Sequence, residues 1–123
     1  MPIVKVYGMP RHNVLSSRIS TVFKQVIKET VAKNLPGVMV AGVSVYFPSD
    51  LELPDKSALC VFVDGLFVRP ERTTEVRARL ARELVATMRR LFKGHIPGWQ
   101  PKLVECLVRP FNPEDGFASD EWE

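Results

Sequence analysis

The sequence predicts an α+β fold, in which two β-α-β units form one four-stranded mixed sheet with both helices on one face. Two stretches carry apolar residues at helical spacing, and four shorter runs are rich in β-branched and aromatic residues. Their order is strand, helix, strand, repeated once, so each helix should leave the two strands of its own unit parallel. The 123 residues fit one domain with a modest core.

The first predicted strand occupies residues 1–7, whose sequence is MPIVKVY. Ile3, Val4 and Tyr7 favour a pleated backbone. Pro2 lacks an amide N–H inside a chain and is tolerated at the first position of a strand. If Met1 is removed, the Pro2 nitrogen becomes a free secondary amine that can act as a base or nucleophile. The alternative is an ordinary chain start without chemistry.

The first helix should begin after the loop of residues 8–13, with Asn13 as its N-cap. It should end near Asn34, because Pro36 and Gly37 stop a helix. Its apolar stripe consists of Leu15, Ile19, Val22, Phe23, Val26, Ile27 and Val31. The second strand is predicted at residues 38–47, ended by Pro48.

The second unit starts with a strand at residues 58–68, in which Gly65 indicates a bulge or a close backbone approach. Thr73 is the expected N-cap of the second helix, and Gly94 is its expected end. The fourth strand is predicted at residues 103–108, ended by Pro110. The segment before it is a loop rich in proline and glycine.

The net charge of +3 is distributed unevenly along the chain. Residues 1–110 carry all 17 basic residues and nine of the 14 acidic ones, a balance of +8. We therefore predict one domain at 1–110, with units at about 1–50 and 58–110, and an acidic tail at 111–123. A basic body suits an anionic ligand, nucleic acid or a soluble surface. The tail could fold back on the body or stay disordered.

Several classes of protein are disfavoured by the composition. Cys60 and Cys106 are far apart in apolar runs, which is typical of reduced core residues. His12 and His95 lack spaced partners, so no metal site is expected. No run of about 20 apolar residues and no secretory signal is visible, which predicts a cytoplasmic protein without membrane contact.

The face of the sheet that the helices leave free should also be covered. Val38, Val40, Val61, Val63 and Leu103 and their neighbours are more apolar than a solvated face would be. We therefore expect other subunits to cover the second face.

The start Met1-Pro2-Ile3-Val4-Lys5-Val6 and the double β-α-β order together resemble the tautomerase superfamily. Residues 72–77 (RTTEVR), continuing to Glu83-Leu84 and Phe92, are similar to the second-helix region of 5-carboxymethyl-2-hydroxymuconate isomerases. Met9-Pro10-Arg11 resembles the matching loop of the macrophage migration inhibitory factor group. The resemblance in topology spans residues 2 to about 110.

This resemblance implies a homotrimer with sheets inward and helices outward. It also implies a cofactor-independent enzyme that moves a proton in small enol or keto carboxylates, with Pro2 as general base. Relatives use the same site for hydration, dehalogenation or decarboxylation. An apolar site and nearby cations would lower the pKa of the Pro2 amine toward working pH.

Cations are needed to bind the substrate carboxylate and the developing enolate. Arginine suits this role because its planar fork meets a carboxylate with two hydrogen bonds. The candidates are Arg11, Arg72, Arg69, Arg109 and Lys33, with Tyr46 as an apolar wall. For each cation the alternative is a solvated surface charge, and for Tyr46 it is ordinary packing. The second strand lacks the substrate-binding arginine that several family members carry there, so another arginine, another substrate or a lost activity must explain it.

Two other functions remain open. The chain could be a trimeric binding or signalling protein without catalysis. It could also be a ferredoxin-like nucleic-acid binder that uses Arg77, Arg79, Arg82, Arg89 and Arg90. Its strands lack the interleaved aromatic and basic pattern of an RNA-binding sheet, so the sequence favours the enzyme.

Overall fold

The computed structural model describes residues 2–10, 15–48 and 58–120. The strands are β1 (Ile3–Tyr7), β2 (Ser44–Tyr46), β3 (Ala58–Phe67) and β4 (Leu103–Phe111). The helices are α1 (Ser17–Asn34) and α2 (Thr74–His95). Two single 3-10 turns, Val40–Gly42 and Pro113–Asp115, complete the described elements.

The four strands form one mixed sheet in the order β2-β1-β3-β4. β1 and β2 are parallel, β3 and β4 are parallel, and β1 and β3 are antiparallel. The two helices pack against each other on one face, where the hydroxyls of Thr30 and Thr87 lie 3.3 Å apart. The predicted fold class is therefore confirmed.

The core lies between the helices and the sheet. Alternate residues of β1 and β3, such as Val4, Val6, Val61 and Val63, are fully buried, because side chains alternate across a strand. The helices contribute Phe23, Ile27, Val31, Leu80, Leu84, Met88 and Phe92 to the same cluster. The rings of Phe23 and Phe92 meet edge to face at 5.2 Å and join the two helices.

Side chains cap both helices. The Ser16 hydroxyl accepts the Ile19 N–H at 3.2 Å, so α1 begins later than the sequence analysis expected. The predicted cap Asn13 lies outside the described residues. Thr73 is confirmed as the cap of α2, because its hydroxyl accepts the Val76 N–H at 3.2 Å. This cap fixes where the loop after β3 turns into α2.

Replacing Thr73 with Ala should lower the free energy of unfolding by about 1 kcal/mol, because the Val76 N–H loses its acceptor. The urea midpoint, measured at one protein concentration, checks this value. Thr73→Ser keeps the hydroxyl and should retain most of the stability. An unchanged midpoint for the alanine variant would show that the cap contributes nothing.

Two strand boundaries differ from the prediction. β2 has only three residues instead of ten, because Val40–Gly42 form a 3-10 turn and only Ser44–Tyr46 align with β1. β4 continues through Pro110 to Phe111 and does not stop before the proline. It is an edge strand, where a residue without an N–H is tolerated.

Gly65 marks the predicted irregularity in β3. The register with β4 shifts between Val63 and Leu66, and Gly65 has a φ of +69°, which favours glycine. The shift changes which side chains of β3 face the helices after this point. Leu66 is therefore buried like Val63, although three positions separate them.

The free face of the sheet is more polar than expected. Val61 and Val63 are buried in the core, so the expectation that they face away from the helices is wrong. The strand alternation instead leaves Phe62, Asp64 and Lys5 on the free face. Several large apolar side chains of the strands are nevertheless exposed, namely Tyr46, Leu103 and Leu107.

Candidate active site

At one end of the sheet, where strands begin and end, the start of β1 lies beside the end of β3. We call this end of the sheet the Pro2 edge. Ile3 pairs with Ser44 of β2 on one side and with Asp64 of β3 on the other. Because β3 and β4 are parallel, the end of β4 also lies here, with Phe111 beside Phe67. Pro2 is buried, and its carbonyl accepts the Ser44 N–H at 3.1 Å. The strand ladder thus fixes Pro2 at this edge.

Arg72 follows the end of β3 at the Pro2 edge. Its Nη1 donates to the Phe67 carbonyl at 2.9 Å. Its Nε is buried and has no hydrogen-bond partner among the described residues. Burial, and secondarily the charge of Arg69, lower the pKa of the Arg72 guanidinium. A buried donor without an acceptor is costly, so this group favours an incoming acceptor.

Arg69 reinforces the positive charge around Arg72. The Arg69 carbonyl accepts the Arg72 N–H at 3.0 Å, which closes a tight turn between β3 and α2. Arg69 is exposed, and neither arginine forms an ion pair within the described residues. Glu71, in the same turn, opposes their charge at Arg72. Two arginines in one turn give an anion a cationic place to bind.

Arg109 also lies at this edge, but a carboxylate of the same chain already occupies its fork. Its Nε and Nη2 donate to the two Asp64 oxygens at 2.5 and 2.7 Å. The guanidinium stacks 4.4 Å from the Phe62 ring, and Lys5 approaches Asp64 at 3.7 Å. The hydrogen bonds to Asp64 raise the pKa of Arg109. A substrate would have to displace Asp64 to use this fork.

The remaining candidates do not converge on one point. Lys33 is exposed in the last turn of α1, which returns the chain toward the start of β2 at the Pro2 edge. Tyr46 is 55% exposed at the other end of β2 and pairs with Lys5, away from that edge. Arg11 lies outside the described residues.

A shallow depression of about 230 Å³ lies between the start of α2 and the edge strand β4. Its lining is Thr74, Arg77, Ala78, Ala81 and Val108. Arg77 also donates to the Arg72 carbonyl at 2.6 Å and to the Thr74 hydroxyl at 3.2 Å. The sequence analysis gave Arg77 no role in substrate binding and named it only within the similar segment 72–77 and in the alternative nucleic-acid surface. Because Arg77 lies one turn after the cap Thr73, the sequence could have indicated that it is close to the start of α2 and to the candidate site.

The basic face of α2 is partly used within the chain. Arg89 donates to the carbonyls of Pro101 and Lys102, and Arg90 donates to the Thr87 hydroxyl. With Arg77, three of the five arginines proposed to contact phosphates therefore have intramolecular partners. This arrangement gives the nucleic-acid alternative no added support.

The described residues contain neither a metal-binding cluster nor a membrane-spanning helix. No group of three or more His, Cys, Asp and Glu within residues 2–10, 15–48 and 58–120 is arranged to hold a metal ion. Among the same residues, no helix is both long and apolar enough to cross a membrane.

Burial raises the pKa of the Cys106 thiol to about 12, so this thiol stays protonated at neutral pH.

The comparisons with known proteins rest on structure alone. No family model and no curated protein matches the sequence. A member of the cis-3-chloroacrylic acid dehalogenase family aligns with a TM-score of 0.67 and 12% identity, over 94% of this chain and 79% of that one. A fused 4-OT symmetric trimer aligns with a TM-score of 0.64 and 16% identity, over 98% and 94%.

A third solved structure concerns a branch named in the sequence analysis. It is a 5-carboxymethyl-2-hydroxymuconate isomerase from Deinococcus radiodurans R1, with a TM-score of 0.59 and 14% identity, over 98% of this chain and 90% of that one. Likeness at these identities establishes the fold. The chain therefore has the fold of the tautomerase superfamily, as its sequence predicts.

Proposed function

We propose that this protein is a cofactor-independent tautomerase or isomerase of small enol or keto carboxylates, with amino-terminal Pro2 as general base. The observation that carries the proposal is the buried Nε of Arg72, which lacks a partner within the described structure and lies at the Pro2 edge. The aligned structures include a member of a dehalogenase family and an isomerase, which supports enzymatic chemistry on small acids.

The carboxylate of the substrate would bind at Arg72 and Arg69. Arg72 already holds one nitrogen on the Phe67 carbonyl, so its plane is fixed while Nε remains available. A carboxylate oxygen could accept the Nε–H, and such charge-assisted hydrogen bonds are about twice as strong as neutral ones. Arg109 contributes less, because Asp64 already neutralises it.

Proton transfer would be the task of Pro2 once Met1 has been removed. The free amine takes a proton from the substrate carbon and returns it to the enolate oxygen, or carries out the reverse transfer. Burial of Pro2, and positive charge at this edge, would disfavour the charged form of the amine. The same arginines stabilise the negative charge that develops on the enolate.

The direct test is the mass and activity of the purified protein. Intact mass spectrometry shows whether Met1 is absent, and a phenylpyruvate-type enol serves as the assay substrate. We expect a mature chain that begins at Pro2 and catalyses ketonisation above the buffer rate. A processed protein without turnover of such carboxylates would overturn the proposal and favour a trimeric binding or signalling protein.

A homotrimer is the expected assembly. The free face of the sheet exposes Tyr46, Leu103 and Leu107, and an aligned 4-OT structure is described as a trimer. Covering such apolar surface stabilises association. Sedimentation equilibrium should give about three times the chain mass of 13.9 kDa. A monomer that persists across all concentrations would contradict this prediction.

A further inference from the structure

Three phenylalanines meet at the Pro2 edge on the free face of the sheet, and we call them the aromatic cluster. Phe67 and Phe111 end β3 and β4, and their ring centroids are 6.4 Å apart. Phe117 comes from the segment after β4 and meets Phe67 edge to face at 4.9 Å. Edge-to-face pairs at this distance are favourable. The acidic tail therefore folds back onto the domain at least as far as Phe117.

The backbone of the tail places Phe117 by specific hydrogen bonds. The Asn112 side chain accepts the Glu114 N–H at 3.1 Å and caps a 3-10 turn. The Phe117 N–H donates to the Pro113 carbonyl at 3.2 Å, which closes the reversal. Gly116 makes this possible, because its φ of +127° is rarely adopted by other residues. The position of Phe117 is thus built into the turn.

The aromatic cluster is linked directly to Arg72. The side chain of Phe67 contacts the Phe117 ring, and the backbone carbonyl of Phe67 accepts a hydrogen bond from the Arg72 guanidinium. This carbonyl follows the bulge at Gly65, where the register between β3 and β4 shifts. Beyond Phe67 the strands are joined by the hydrogen bond from the Val68 N–H to the Phe111 carbonyl, 2.9 Å long. The orientation of Arg72 therefore depends on how firmly Phe67 is held.

We propose that Phe117 is a positioning residue for Arg72. It touches Phe67, and through the Phe67 carbonyl it fixes the plane of the guanidinium that presents Nε at the Pro2 edge. The inference rests on the proposed function of Arg72 as a carboxylate ligand, but the positional link can be tested without turnover. Phe117 itself needs no contact with the substrate.

The kinetic test compares Phe117→Ala with a matched control. Leu103 is 48% exposed, against 50% for Phe117, and lies at the opposite end of β4. Phe117→Ala should raise KM for the enol carboxylate about threefold to tenfold and change kcat less than about twofold. The reason is that a misplaced Arg72 weakens substrate binding and leaves the proton-transfer step itself intact. Leu103 also lies on the face that the proposed trimer covers, so Leu103→Ala should leave KM unchanged in samples whose sedimentation mass equals that of the wild-type protein. Phe117→Trp keeps an aromatic contact and should restore KM.

A second variant perturbs the position of Phe117 without removing its ring. An added Cβ at Gly116 meets nothing within 4 Å, so Gly116→Ala acts only through the strained φ. It should raise KM in the same direction as Phe117→Ala. If both variants lose stability while KM stays at the wild-type value, Phe117 is merely structural and the proposal is wrong.

A nuclear magnetic resonance measurement separates this inference from the proposed function. The Arg72 Nε–H signal, assigned by its loss in Arg72→Lys, should be distinct and slow to exchange in the wild-type protein. In Phe117→Ala it should move toward the signals of exposed arginines and exchange at least about tenfold faster. An unchanged signal would overturn the inference even in an active enzyme. A changed signal in a protein without turnover would sustain the link and refute only the proposed function.

Discussion

Turnover of an enol carboxylate should fall to background when the Pro2 nitrogen is blocked by retained Met1 or by an added residue. An acylated nitrogen is an amide and has no lone pair available for a proton. General base catalysis is worth about 10²- to 10⁴-fold in rate, so kcat should fall by at least that factor. The assay compares blocked and processed proteins whose masses have been verified.

The fold should survive this change, because the ladder from Ile3 to Tyr7 does not use the Pro2 nitrogen. Circular dichroism and the sedimentation mass serve as controls. In the processed protein, activity should rise with pH through the amine pKa, since only the unprotonated amine is a base. Pro2→Ala leaves a primary amine and can retain some activity. Equal turnover by blocked and processed proteins would show that Pro2 is not the base.

Arg72→Ala should lower kcat/KM by about 10- to 1,000-fold, as expected when a charged contact to the substrate is lost. The structure also predicts an effect on stability, because the Phe67 carbonyl loses its donor. We expect about 1 kcal/mol from one such hydrogen bond. Steady-state kinetics and urea unfolding on the same samples separate the two effects.

Matched variants identify the origin of that loss. Arg72→Lys keeps the charge but not the planar fork, so it should recover only part of the activity. Arg79 is exposed on α2, and Arg79→Ala should leave kcat/KM unchanged. If Arg79→Ala reduces activity as much as Arg72→Ala, the general positive field and not a specific contact is responsible. A variant of Arg72 that unfolds at room temperature would assign it a structural role.

Local signals in the sequence predicted much of the fold. The hydrophobic spacing predicted both helices, and β-α-β order predicted the parallel pairs, because these features depend on nearby residues and on chain handedness. Thr73 was identified as a cap and Gly65 as a bulge for similarly local reasons. The predicted boundaries of β2 and β4 were wrong. Hydrogen bonds to a partner strand determine where a strand begins and ends, and the local sequence pattern does not show these bonds.

The sequence by itself determined the candidate chemistry: a proline that can become a free amine, arginines to meet a carboxylate, and an α+β sheet to hold them. Only the tertiary structure decided which arginines are available. Asp64 lies 45 residues before Arg109 and occupies its fork, whereas the Arg72 Nε is buried without a partner in the part of the chain that the structure describes. The contact of Phe117 with Phe67 likewise crosses 50 positions of sequence. Strand pairing and the turn at Gly116 create these contacts, and residue spacing does not encode them.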